Sequence, residues 1–479
     1  MKSKLQKFLT LAFNGTPFIA LVLIFITGVS LFRASFLPEV DILWGARNGG
    51  DLLRNGVTLF TPDTWNAITL GEEWAPNSWL WNVVLYASFT AFGTAGFFIL
   101  TAVTNFLTYL CFWLTLKASR LTPTWQFIGL FLIWAVTVQF LNGRSNTVDF
   151  LILGVFLLGV GKLRTVTKLP LKVGLYSLLS FVITALWMNL HLTALAAIAV
   201  FPAVVYIHHY NYVFKKKVLF AAAAFVGVLL AIPLTPFGIK GLVKVSQVTN
   251  ESKDFFIEWS NVFATGTPNW AVIAVVVFGA IMALVALQHK QWIIAAMLVV
   301  LCYFAFDIIR FTPFLLIFIL ASLRMVNRWK LPYRRYVQTV TILVTVAMLG
   351  VGIYSTVKAT TDWNSILPVD PASFSDIPPN AVVATDQDSG GTLLLYRPDV
   401  HVTLDGRNDL MGKERFIESS NILFSDDLNN IEDWLQEYDV DTVFVEDPES
   451  YNSIVENMDE LGWQKFEGKH SLTFLQPKK

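Results

Sequence analysis

Two carboxylates, Glu39 and Asp41, come straight after an apolar run that extends from about Pro17 to Phe36. Acids are costly in hydrocarbon and uncommon at its edge unless they have a task there. If the run crosses a membrane from the cytoplasm, both acids emerge at the far surface. A carboxylate in that place can take the proton of an acceptor hydroxyl as it attacks a lipid-linked substrate. Asp41 is the candidate base, with Glu39 beside it. Cations able to hold an anionic carrier phosphate are read at similar depth in other outer segments: Arg47, Arg54, Arg144, Lys240, Lys244 and Arg310. His191 and Glu258 complete the outer set, with Asn142, Asp149, Asn189 and Asp307 nearby. The plainer alternatives are open. Asp41 would also suit a helix cap, Arg310 a headgroup anchor, and Asp307 with Arg310 an i,i+3 pair.

The elements that must position these groups follow from composition. The 479 residues are 54% hydrophobic and only 15% charged, where soluble chains average about 25% charged. The chain therefore reads as a polytopic α-helical membrane protein. A window of roughly 19 residues predicts about eleven spans, at 17–36, 91–116, 123–141, 147–161, 173–190, 192–210, 218–234, 269–287, 292–309, 312–325 and 336–356. Basic residues fall in alternate loops: Lys117 and Arg120, then Lys162 to Lys172, then Lys215-Lys216-Lys217, then Lys290, then Arg324 to Arg335. The positive-inside rule then puts the N-terminus in the cytoplasm and the region after span eleven outside. The basic start Met1 to Lys7 precedes a span too long for a cleaved leader and reads as a retained anchor. Cys111 and Cys302 both lie in apolar runs and read as small core residues. The basic residues are dispersed, which excludes a nucleic-acid footprint. No acid cluster has metal-ligand spacing, so no metal or cofactor is predicted; a need for a divalent cation is left open.

The outer loop 37–90 holds Trp44, Trp65, Trp74, Trp79 and Trp81. Indoles suit a headgroup boundary, so surface-lying helices are expected there. From about Asp362 the composition changes, and roughly two-thirds of the 35 acids lie beyond Thr361. Strands are predicted at 381–385, 401–404 and 441–445, and helices at 432–438 and 452–461. This alternation predicts a small α/β domain. Residues 1–356 are thus expected to form the membrane domain and 357–479 an extracytoplasmic one. In the latter, Asp386, Asp405 and Arg407 are candidate acceptor contacts. For Asp405-Gly406-Arg407 the alternative is a turn acid in a buried salt bridge. Gly390-Gly391 lacks the spacing of a phosphate loop.

A succession of short motifs carries a family resemblance. Val40-Asp41-Ile42-Leu43-Trp44 through Gly49 resembles a pattern Asp-x-x-Trp-His-x-x-x-Gly, and Thr61-Pro62-Asp63-Thr64 and Trp74 through Trp81 follow in the expected places. Then come Gly143-Arg144, Asn189-Leu190-His191, Thr235-Pro236-Phe237-Gly238, Ile257-Glu258-Trp259 and Arg310 with Pro313-Phe314. Gly390-Gly391-Thr392-Leu393 and Leu404-Asp405-Gly406-Arg407-Asn408-Asp409 close the series. The order resembles that of bacterial polytopic proteins similar to the C superfamily (GT-C) of lipid-sugar-dependent glycosyltransferases. Two positions depart from the pattern: its His falls at Gly45, and the Asn of its Asn-Pro-aromatic-Gly turn at Thr235. The resemblance implies surface helices in the first outer loop, a catalytic Asp there, matched by Asp41, and a polyprenyl-phosphate sugar donor.

The expected function is thus transfer of a sugar from a polyprenyl-phosphate carrier to a cell-envelope glycan, lipid or protein, at the outer face of a plasma membrane. The alternatives are a carrier or flippase for a lipid-linked substrate and a non-catalytic scaffold in envelope assembly. A carrier usually places charges near the bilayer midplane, often in repeated halves. Here the polar groups lie at one edge and no internal repeat is visible.

Overall fold

The computed structural model describes residues 2–36, 39–237, 240, 260–264, 266–326, 334–468 and 471–477. The chain divides into two compact units. One contains Met1–Ser35, Thr101–Val245 and Lys253–Val357; the other contains Phe36–Leu100, Ser246–Ser252 and Lys358–Lys479. Among the described residues, 36–100 therefore group with 358–479 and not with the other helices.

Each of the eleven apolar segments lies on a helix. Among the described residues, eight helices are long and apolar enough to cross a membrane: Gly15–Ala34, Thr94–Ala118, Ser145–Leu163, Leu169–Leu190, Phe214–Leu234, Trp270–Gln288, Ile309–Val326 and Arg335–Thr361. Shorter apolar helices occupy Pro123–Thr137, Leu192–His208 and Trp292–Asp307, and also Trp79–Phe92, between the first two of the long helices in sequence. The chain is a polytopic α-helical membrane protein with a smaller α/β part. In the first unit, small residues let helices approach closely, as is common between membrane helices. A side chain on Gly28 would strike the Leu349 backbone, and one on Gly227 the Ser177 carbonyl.

The second unit is built on a five-stranded mixed sheet. Its strands are β3 (Val382–Ala384), β4 (His401–Val402), β5 (Thr442–Glu446), β6 (Gln464–Glu467) and β7 (Ser471–Leu475); β1 (Thr61–Pro62) and β2 (Glu73–Trp74) form a separate two-stranded pair. The spatial order is β4-β3-β5-β7-β6. The first three strands are parallel, and β7 and β6 join antiparallel. Strand residues alternate between two faces. Val383 and Phe444 thus enter one core, while Ala384, Val443 and Val445 enter the other.

The first of these cores corrects one expectation. Trp44, Trp65 and Trp74 do not lie open on the surface: they are buried with Phe374, Val402 and Phe444. Trp44 and Trp65 each meet Trp74 edge to face at 5.8 Å. An indole suits a lipid interface and a protein core equally well, and here the sheet supplies the apolar face. The loop is also tied to the sheet edge by backbone bonds. Val402 N–H donates to the Trp65 carbonyl at 3.0 Å, and Ala67 N–H to the Val402 carbonyl at 2.9 Å.

Candidate active site

The helix Val40–Asn55 begins immediately after the first candidate span, with Glu39 at its N-cap and Asp41 in its first turn. The cap position therefore belongs to Glu39, not Asp41. Asp41 Oδ1 accepts a hydrogen bond from Trp44 Nε1 at 3.0 Å. Glycines of this same helix pack against the helix Trp79–Phe92. A side chain on Gly49 would meet the Asn82 carbonyl, and one on Gly45 would lie 2.9 Å from Asn82 Oδ1. A side chain at Gly45, where the family pattern has histidine, would have to displace the Asn82 amide and crowd Leu85. Asn82 Nδ2 donates to Asn48 Oδ1 at 3.0 Å between the two helices.

The C-terminal segment closes on the first turn of this helix. A Cβ on Gly391, in the helix Gln387–Tyr396, would collide with the Val40 side chain, and one on Gly390 with the Leu404 carbonyl. Both glycines permit close backbone approach. Asp386 caps this helix: its Oδ1 accepts from Asp388 N and Ser389 N at 2.9 Å each, and its Oδ2 from Ser389 Oγ at 2.7 Å. Asp386, read as an acceptor contact, thus has both oxygens engaged within its own turn.

Asp388 was missed in the sequence, where nothing separated it from Asp386. Partial withdrawal from water, then the charges of Asp386, Glu39 and Asp41, push its carboxyl up to about 6. Glu446 is pushed up to about 7 by withdrawal from water and by Asp386, Asp370 and Asp447. A carboxyl whose folded-state pKa is raised binds more protons folded than unfolded between the two pKa values, so stability falls as pH rises through that window. For these two groups the window runs from the ordinary carboxyl range, about 4, to about 6 and about 7. Asp388→Asn should therefore melt higher than the parent at pH 8, with the gain shrinking toward pH 4. A thermal melt series across that range checks it.

Asp405 and Arg407 follow the salt-bridge alternative. Both are essentially inaccessible, at 0% and 1% exposure. Arg407 Nη1 donates to Asp63 Oδ1 at 2.6 Å, and its Nε and Nη2 donate to Asp405 at 3.0 and 2.8 Å. Asp63 also accepts from Thr69 Oγ1 at 2.7 Å, and Asp405 from Asn66 Nδ2 at 3.2 Å. The guanidinium lies 4.5 Å from the Trp65 ring centroid and 5.0 Å from that of Trp74. Burial opposes the charge on Asp405, but the adjacent Arg407 guanidinium and its hydrogen bonds hold the carboxyl below its usual range. Burial likewise opposes the charge on Arg407, and the two carboxylates more than restore it. Arg407 also reaches the wall of a cleft of about 230 Å³, lined by Asn48, Asp51, Asn55, Trp65 and Trp74 among others.

Arg47 and Arg54 both bind Asp51, at 3.2 and 2.5 Å. Asp51 further accepts from Trp65 Nε1 at 3.1 Å. These two arginines are thus structural partners of an acid on their own helix.

In the other unit, Arg144 is the N-cap of the helix Ser145–Leu163, and Arg310 lies in the short 3-10 turn Ile309–Phe311. Lys240 is described, whereas Lys244 and Glu258 lie outside the described residues. His191 is bonded to Asp149: its Nδ1 lies 2.8 Å from Oδ2 and 3.0 Å from Oδ1. Asp149 also accepts from Trp187 Nε1 at 2.6 Å and Thr193 Oγ1 at 2.9 Å. A carboxylate on Nδ1 fixes the imidazole with Nε2 directed away, an orientation used for acid–base work or anion contact. Asp149→Ala leaves Trp187 Nε1 without its acceptor and His191 and Thr193 only with each other, 2.9 Å apart, so it should destabilise this unit by about 1–3 kcal/mol. Hydrogen exchange over 187–193 would show it as lost protection. Among the described residues, no group of three or more His, Cys, Asp or Glu is arranged to hold a metal.

No protein-family model matches the sequence, and no curated protein does. Solved structures do match. The oligosaccharyltransferase of Archaeoglobus fulgidus, tethered to an acceptor peptide containing the NVT sequon, aligns over 98% of this chain and 75% of its own, with a TM-score of 0.56 at 10% identity. Its apo form aligns over 93% and 71%, with a TM-score of 0.54 at 11% identity. The chain shares the fold of this oligosaccharyltransferase. ArnT from Cupriavidus metallidurans, solved with undecaprenyl phosphate, aligns over 96% and 98% with a TM-score of 0.49 at 11% identity.

Proposed function

We infer that the chain is a membrane glycosyltransferase that moves a sugar from a polyprenyl-phosphate donor to a cell-envelope acceptor at the extracytoplasmic face. The observation that carries this reading is the place of Asp41. In a chain with this fold, it stands in the first turn after the first candidate span, held by Trp44. The acceptor hydroxyl attacks the anomeric carbon and passes its proton to the Asp41 carboxylate. The bond from that carbon to the phosphate oxygen breaks, and its electron pair leaves with the polyprenyl phosphate. Attack opposite the leaving group inverts the anomeric centre. Within the other unit, His191, oriented by Asp149, and Arg144 and Arg310 are proposed as anion contacts. The N-terminus is assigned to the cytoplasm and the α/β part to the outside, following the basic loops.

The test is reconstitution of the purified protein in proteoliposomes with labelled polyprenyl-phosphate sugars and an envelope extract as acceptor. Label in an acceptor-bound product supports transfer. Donor crossing the bilayer without product would replace this reading with the carrier alternative.

A further inference from the structure

Gly406 lies between two residues that have nowhere to go. Asp405 Oδ1 accepts from the Arg407 backbone N–H at 2.8 Å and from its Nε at 3.0 Å, which closes a tight turn around the glycine. Arg407 is anchored in turn to Asp63, and Asp405 to Asn66. The knot is buried, so the turn is a rigid mount. Its one side-chain-free position faces the Asp41–Trp44 hydrogen bond. A Cβ on Gly406 would lie 2.6 Å from Trp44 Nε1, 2.9 Å from Asp41 Oδ1 and 3.0 Å from Trp44 Cδ1. We propose that Gly406 is a positioning residue for the Asp41 carboxylate, and that the buried Asp405–Arg407 knot serves to press the glycine backbone onto the Asp41–Trp44 pair.

What would yield to a methyl group decides the consequence. The mount is fixed by two carboxylates. Trp44 is locked in the core against Trp74. A methyl group on Gly406 would press on the Asp41 carboxylate and turn it away from the Trp44 donor. A hydrogen bond to the charged form of a carboxyl favours that form, so its loss raises the Asp41 pKa. Gly391 acts one residue earlier, where the Val40 side chain leaves no room for a Cβ. The Gly-Gly and Asp-Gly-Arg motifs, 15 residues apart in sequence from Gly391 to Gly406, thus converge on one helical turn.

This inference extends the assignment of Asp41 as base, but its test needs no substrate. The full chain in nanodiscs is titrated by infrared difference spectroscopy of the carboxyl stretch, with Asp41→Asn as the subtraction that assigns the band. Trp44→Phe should raise the Asp41 pKa. Gly406→Ala should do the same, and the double variant should go no further than Trp44→Phe alone, because both remove one bond. A folded Gly406→Ala protein that titrates like the parent, or whose shift adds in full to that of Trp44→Phe, overturns the proposal. Should Gly406→Ala fail to fold, the Trp44→Phe background removes the indole that makes two of the three close contacts. Folding must then return, and failure there also overturns it. Loss of transfer activity is read separately, so a wrong substrate class leaves this result intact.

Discussion

Arg407→Met should destabilise the α/β unit by about 3–5 kcal/mol, because it leaves Asp63 and Asp405 buried without their cation. Methionine fills much of the same volume, so the loss is electrostatic more than a cavity effect. The pH dependence identifies the cause. In the parent, Asp405 is held below its ordinary range, so its contribution is present above the unfolded value of about 3.9 and disappears only as pH falls through the lower folded value. In the variant the sign reverses. A stranded carboxylate must take up a proton to stay buried, its folded pKa rises above the unfolded value, and the variant weakens as pH climbs from about 4. The deficit relative to the parent should therefore be small near pH 4 and full at pH 7. Using the difference cancels the shared contributions of Asp388 and Glu446. Hydrogen exchange over β3, β4 and β5 reads it locally, with protection at pH 7 reduced roughly 10²-fold or more. Arg407→Lys should recover only part, since an ammonium lacks the fork that reaches both acids. A deficit that does not vary with pH would mean the knot acts through packing alone.

Much of the helical part was legible because an apolar run has one economical reading in a chain this poor in charge. The eleven segments all lie on helices. The runs Val382–Ala384 and Thr442–Glu446 were legible as strands for a similar reason: they are β-branched and apolar between turn signals. The helix Gln387–Tyr396 was not, since Gly390-Gly391 lowers helix propensity and only the three-dimensional approaches to Leu404 and Val40 explain them. Strand β6 is largely exposed and polar, so it has no hydrophobic alternation to detect. What sequence could not reveal was pairing across distance. Arg407 and Asp63 are 344 positions apart, and His191 and Asp149 are 42 apart. Each residue alone is an ordinary polar group near a turn or a span end. The same blindness made Trp44, Trp65 and Trp74 read as interfacial when they complete a core.

Asp41→Asn should abolish transfer while leaving the architecture in place. Asparagine keeps the size of the side chain and an oxygen that can accept from Trp44 Nε1, so the helix turn and the Gly406 contact survive. It cannot take a proton from an attacking hydroxyl. General-base catalysis is typically worth about 10²–10⁴ in rate, and that factor should fall on kcat, with donor affinity little changed. Loss of donor binding instead would make Asp41 part of the docking site.

The most direct measurement compares both proteins in the same proteoliposomes, following label from a polyprenyl-phosphate sugar into acceptor. Product with the parent, and at least a hundredfold less with an Asp41→Asn protein that still binds donor, is the predicted result. Equal transfer by the two would contradict the assignment of Asp41 as the base.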